Sequence, residues 1–411
     1  YTKIGDGMKK VVLFVTLLLI SFNVSALELN SKNVVLYNLN ENKIIYEENK
    51  DEITSIASLT KIMTTLVAIE NITNWNEKVT LNYKVFEGLA EANAAVIGLR
   101  IGQTVTYNDL IYGMFLASGA DATRAIAMSV SGSEEKFVEL MNKKATELGM
   151  KNTSFKNTTG LEANGQYSTV NDVAILLSKA LENKKFEEVF TANSYTFSDN
   201  SMTVYSTLRK TASYYGFDVS YIEGAKTGYT LIAGRCLASI AYDKENDIRY
   251  LLVTTKAPTD KAYYHVKDAV TTYNYYFENY KYHNLVDKNE VVLTLPTKYG
   301  KVDHVDIKAL DEIKYYLNNT FKKEDVKLKY TSENIKTTKI NKGDKLGSIE
   351  VIYNDEVLNK FDVYLPEKVE FSIIVFIKDN IKIISISLVS FILIIIMLIL
   401  GLKRKKKKRR K

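Results

Sequence analysis

The chain has 411 residues and is 46% apolar, which is material for a globular protein of two domains and argues against a disordered polymer. Its formal charge of +7 sits at the ends: residues 403–411 are nine basic residues in a row and residues 1–26 add a net two, which leaves the middle of the chain at net −4. That balance argues against a nucleic-acid partner, and a single cysteine, Cys236, excludes an internal disulfide.

In chain order, Lys9-Lys10, the apolar run 11–20 and the small residues Val24-Ser25-Ala26 predict a signal peptide, with translation starting at Met8 and residues 1–7 an upstream extension. Alternating residues in 33–47, interrupted by Asn40-Glu41-Asn42, predict a hairpin. Leu59, Ile62, Met63, Leu66 and Val67 recur at helical spacing, and helices are expected over 117–130 and 136–148, the second stopped by Gly149. Strands are expected over 221–229, 235–242 and 248–256, then a helix over 262–280. Strands at both ends of a helical stretch make residues 30–282 one α+β domain.

Short strands at 291–295, 326–330, 347–353 and 361–365 predict a small β-rich domain, 285–368, read as a spacer or stalk. Residues 383–402 carry no formal charge and, at about 1.5 Å each, match a hydrocarbon core of roughly 30 Å. A transmembrane helix is therefore expected there, with 403–411 as its basic cytoplasmic tail and everything before residue 382 outside. His265, His283 and His304 lie far apart without a paired Cys or His, so neither a metal nor another cofactor is expected.

Without a suitable histidine, a serine nucleophile needs another base, and Ser58-Leu59-Thr60-Lys61 places a lysine one helical turn beyond a serine. A helix start also offers free backbone N–H groups to a developing oxyanion. A second tetrad, Ser133-Glu134-Glu135-Lys136, follows Gly132 and reads as an exposed helix start. On the tetrad alone, a simple capping role for Ser58 stays open. Two further pieces follow it in order: Ser118-Gly119-Ala120-Asp121-Ala122, and Lys226-Thr227-Gly228 with Tyr229 and Thr230. A strand bearing Lys, Thr and Gly offers a cation and a hydroxyl to a carboxylate and room for an extended peptide.

The three motifs stand as in penicillin-binding proteins and class A β-lactamases. The chain resembles the D-alanyl-D-alanine carboxypeptidases, low-molecular-mass penicillin-binding proteins of the serine DD-peptidase family. The resemblance runs through Ile56 and Ala57 to Thr64, residues 137–150, Asn157-Thr158-Thr159-Gly160-Leu161, Gly165-Gln166-Tyr167-Ser168-Thr169 with Asp172, Gly224-Ala225 before Lys226, and Ala233-Gly234. It implies a DD-peptidase/β-lactamase-like α+β domain, an antiparallel sheet flanked by helices with a helical subdomain. It also implies a substrate, the peptidoglycan stem peptide ending in D-Ala-D-Ala, and β-lactams as covalent inhibitors.

Carried over by resemblance, Ser58 attacks the peptide carbonyl, Lys61 takes its proton and Ser118 passes a proton to the departing D-alanine. Lys226 and Thr227 hold the terminal carboxylate. Gly228 leaves room for the peptide, and the backbone N–H groups of Ser58 and Tyr229 form the oxyanion hole, with Thr230 in the same binding strand. Three positions depart from the family pattern. Ala120 replaces an asparagine, for which Asn164 is a candidate substitute; Gln166 replaces a histidine; and an arginine used by some relatives near the carboxylate is replaced around His265. These departures leave open a low-turnover peptidoglycan-binding or β-lactam-sensing protein, and a β-lactamase in which Glu162 is a candidate deacylating group by position.

Overall fold

The computed structural model describes residues 27–332 and 341–408, so the expected signal peptide lies outside the described residues. The described chain divides into two units, the first ending at Glu278 and the second beginning at Asn279.

In the first unit the hairpin forms as β1 (Asn33–Asn38) and β2 (Lys43–Glu48). A 3-10 turn, Ala57–Leu59, leads into α1 (Thr60–Asn71). Two short strands, β3 (Lys78–Thr80) and β4 (Thr104–Thr106), precede α2 (Tyr107–Leu116), which Thr106 and Asp109 start as a capping box. Then come α3 (Ala120–Ser131) and α4 (Glu134–Glu147), separated by Gly132 in the left-handed region. The expected helix over 117–130 starts three residues late, because Ser118 takes a φ of +60° and breaks the turn there. Next are α5 (Val170–Ala180), α6 (Lys184–Thr191), the ribbon β5 (Ser194–Thr196) with β6 (Thr203–Tyr205), and α7 (Thr207–Tyr215). The long strands β7 (Ile222–Thr230), β8 (Gly234–Asp243) and β9 (Ile248–Ala257), and α8 (Tyr264–Asn279), complete this unit.

The main sheet has the order β2-β1-β9-β8-β7, antiparallel throughout, with β7 as a terminal strand. Alternation along the strands sorts their side chains between two layers. Cys236, Ala238, Ile240, Leu251 and Val253 join the core formed with the helices α1 to α6. On the opposite face Ser239 meets Tyr273 of α8 through a 2.9 Å hydroxyl hydrogen bond, and Tyr250 packs on Phe277. This parity places Lys226 and Gly228 on the helical face, opposite Ala238 and Cys236. Thr227 and Tyr229, opposite Leu237 and Arg235, lie on the α8 face.

The second unit is β-rich: β10 (Tyr280–Val286), β11 (Val291–Pro296), β12 (His304–Lys308), β13 (Ile313–Asn318), β14 (Lys327–Ser332), β15 (Lys345–Tyr353) and β16 (Glu356–Tyr364). They pair as β10-β13, β11-β12 and β14-β15-β16. Leu285, Val286, Ile307, Ile349, Val351 and Val363 are part of a separate core. The strand β10 begins where the sequence reading still had helix, because Tyr-rich sequence suits either element and only pairing with β13 decides. The last helix, α9 (Ile373–Lys408), starts ten residues before the uncharged run: Lys378, Asp379 and Lys382 do not interrupt helical hydrogen bonding as a proline does. Its 373–403 stretch is long and apolar enough to cross a membrane.

Candidate active site

Ser58 lies in the 3-10 turn ahead of α1, between the buried Ala57 and Leu59. Ala57 has a φ of +46°, a conformation that costs free energy unless neighbours impose it. Gly160, itself at φ +81°, packs so tightly there that a Cβ would stand 2.0 Å from the Ala57 carbonyl oxygen. One turn on, Lys61 is 2% exposed, with its Nζ 3.0 Å from Ser58 Oγ and 2.6 Å from the Thr159 carbonyl oxygen. Burial pushes the Lys61 amine down to about 7, partly opposed by the Asp121 carboxylate. A neutral amine held beside a serine hydroxyl is able to accept its proton near neutral pH.

Ser118 occupies the corner between α2 and α3 and receives a 3.0 Å hydrogen bond from Lys226 Nζ, which also donates to the Thr227 carbonyl at 3.1 Å. Lys226 is 1% exposed, and burial together with the nearby Lys61 holds its amine well below the ordinary lysine range. Its Nζ points at a serine hydroxyl and not at open solvent. Gly228 brings β7 against the nucleophile turn: a Cβ there would lie 3.1 Å from the Ser58 amide nitrogen and 3.2 Å from both Ala57 Cβ and the Ile56 carbonyl. Of the remaining predicted binding residues, Thr227 bonds Thr207 hydroxyl to hydroxyl at 2.6 Å, and Tyr229 is 47% exposed. Thr230 donates to Glu162 and accepts the Ala233 N–H at 2.9 Å.

Ser58, Lys61, Ser118, Lys226 and Gly228 thus come together at one place. The second tetrad does not join them: Ser133 caps α4, its hydroxyl accepting the Lys136 backbone N–H. The Ala120 methyl is buried, while Asn164 is exposed and, among the described residues, makes no hydrogen bond to Ser118 or Lys226. Gln166 braces its own loop through the Lys156 and Asn157 N–H groups and the Leu161 carbonyl.

Sequence reasoning missed several supports. Asp121 accepts the backbone N–H groups of Ile97, Gly98 and Leu99 at 3.1 Å, fixing the segment that faces α3. The Thr159 carbonyl anchors Lys61, and Glu162 ties Ser55 to Thr230. A buried carboxylate straight after the Ser118 loop was a legible signal; a carbonyl partner leaves none. Among the described residues no three His, Cys, Asp or Glu side chains gather as a metal site. Two clefts of about 1040 and 860 Å³ lie in the second unit, and neither is lined by a pair of buried lysines.

Residues 20–259 match the family model of the D-alanyl-D-alanine carboxypeptidases, peptidase S11, and residues 280–371 match that of the penicillin-binding protein 5 C-terminal domain. The chain is 33% identical over 351 residues to D-alanyl-D-alanine carboxypeptidase DacF of Bacillus subtilis, covering 84% of this chain and 87% of that one. It is 30% identical to D-alanyl-D-alanine carboxypeptidase DacC of Escherichia coli, covering 84% and 86%. The fold superposes on penicillin binding protein 6B from Escherichia coli with a TM-score of 0.62 at 23% identity, covering 84% of this chain and 98% of that one. With both of its domains matched in order and a serine held beside a buried lysine in the first, the chain belongs to the serine-type D-alanyl-D-alanine carboxypeptidases of the penicillin-binding protein 5 type.

Proposed function

We propose that this carboxypeptidase removes the terminal D-alanine of peptidoglycan stem peptides through an acyl-enzyme on Ser58. Lys61 takes the Ser58 proton as the hydroxyl attacks the carbonyl between the two D-alanines. The oxyanion forms against the Ser58 and Tyr229 backbone N–H groups, a role supported by the close approach of Gly228 to the Ser58 nitrogen. Ser118, polarised by Lys226, gives its proton to the departing amine and is reprotonated by Lys61, which is then neutral again, while Lys226 and Thr227 face the substrate carboxylate. Water, activated by the Lys61 amine, then hydrolyses the ester. The observation that carries this reading is the 3.0 Å contact of Lys61 with Ser58 by an amine that burial lowers to about 7, so that a large fraction of it is neutral at neutral pH. The apolar stretch of α9 anchors the protein, with the basic tail in the cytoplasm and both domains outside.

Benzylpenicillin is expected to form one adduct per chain, on the peptide holding Ser58, as read by mass spectrometry. Labelling that persists in Ser58→Ala sinks the mechanism. A pentapeptide is expected to lose a single D-alanine. One observation favours a second reading, a β-lactam-sensing or peptidoglycan-binding role with little turnover: the buried methyl of Ala120, which offers no amide to a substrate. Adduct formation without D-alanine release would establish that reading, and rapid hydrolysis of the penicillin itself would indicate a β-lactamase.

A further inference from the structure

Arg235 is the second residue of β8, directly opposite Tyr229 and one diagonal step from Thr227 on the same face of the sheet. Diagonal neighbours across a strand pair lie roughly 7–8 Å apart, within reach of an arginine side chain. Its guanidinium carbon stands 4.7 Å from the centre of the half-exposed Tyr229 ring. The Arg235 Nε is buried without a hydrogen-bond partner, and among the described residues no carboxylate forms an ion pair with this guanidinium. Other cations nearby are already engaged. Arg209 bonds Asn193, the Val219 carbonyl and the Ile222 carbonyl, and Lys256 pairs with Glu52.

We propose that Arg235 supplies the fixed positive charge that receives the substrate's terminal carboxylate on the Thr227 side of the edge strand β7, with the Tyr229 ring holding the guanidinium in place. An arginine pairs a carboxylate through a planar fork and stays charged at every working pH. The other basic groups near the edge strand do not. His265 is buried, and that burial, together with Arg235 itself, pushes the imidazole down to about 3. Lys226 is depressed by burial and by Lys61, and its Nζ is engaged with Ser118.

The proposal rests on the carboxypeptidase reading of the site, and its test separates the two. The full-length protein in detergent is assayed with N-acylated lysyl-D-alanyl-D-alanine as the free acid and as its C-terminal carboxamide. Arg235→Leu is expected to lower kcat/KM on the acid roughly 10- to 100-fold and to leave the carboxamide within about twofold, with Arg235→Lys recovering part of the loss. The acid-to-amide ratio within one variant does not depend on how much of that variant folds. An equal loss on both substrates, or no loss on the acid, overturns the proposal. Acylation by benzylpenicillin and by its methyl ester poses the same question without turnover. A ratio that collapses in Arg235→Leu while D-alanine is never released supports Arg235 and removes the carboxypeptidase reading; a ratio unchanged by the substitution overturns Arg235 alone.

Discussion

Lys61 and Lys226 are two buried amines whose environments differ in one respect. Asp121 lies close enough to favour a proton on Lys61, whereas Lys226 feels chiefly burial and Lys61. If the neutral Lys61 amine is the base, the acylation rate should climb with pH through about 7 and level off above it. Stopped-flow measurement of penicillin acylation checks this, and a rise only in the ordinary lysine range near 10 would remove Lys61 from the role. Asp121→Asn takes away the charge that raises the Lys61 value, so the midpoint should move to lower pH. The same substitution weakens the acceptor of three backbone N–H groups, and a loss of about 1–3 kcal/mol of stability should accompany the shift.

At the scale of elements, the site is the meeting of a 3-10 turn with the outermost strand of the sheet, and Gly228 sets the distance. Gly228→Ala places a methyl within 3.1–3.2 Å of backbone and Cβ atoms that cannot swing away. Acylation by penicillin is expected to slow by roughly 100- to 1000-fold, as for the loss of an oxyanion donor, while unfolding free energy changes by less than about 3 kcal/mol. An unchanged acylation rate would mean that the strand does not take part in the reaction. These elements were unequally legible in the sequence. Ser58 and Lys61 were readable because helical spacing carries one side chain to the other and two further motifs follow the tetrad in order. The left-handed turn at Ser118 was not, because that conformation is rare outside glycine and carries no compositional mark. Nor were the Thr159 carbonyl and the Arg235–Tyr229 stack, which exist only once loops close and strand register is set. Of the three strands missed in the second unit, β10 and β13 are lysine- and tyrosine-rich, so apolar alternation is blurred where one sheet face meets solvent, and β12 is only five residues long.

For the whole molecule, the two units have separate cores, and α9 adds a long helix whose apolar stretch is unburied. Deleting residues 373–411 is expected to move the protein from the membrane to the soluble fraction on ultracentrifugation while penicillin labelling persists. Sedimentation with membranes after the deletion would argue against α9 as the anchor. The close approach at Gly228 also bears on how such a protein can change under antibiotic pressure. Under the proposed mechanism an inhibitor and the wall peptide reach Ser58 past the same strand, so a mutation that crowds this passage bars both. Tolerance by altering the target therefore has little room at the nucleophile, and selection is steered toward positions that decide how long the acyl group stays.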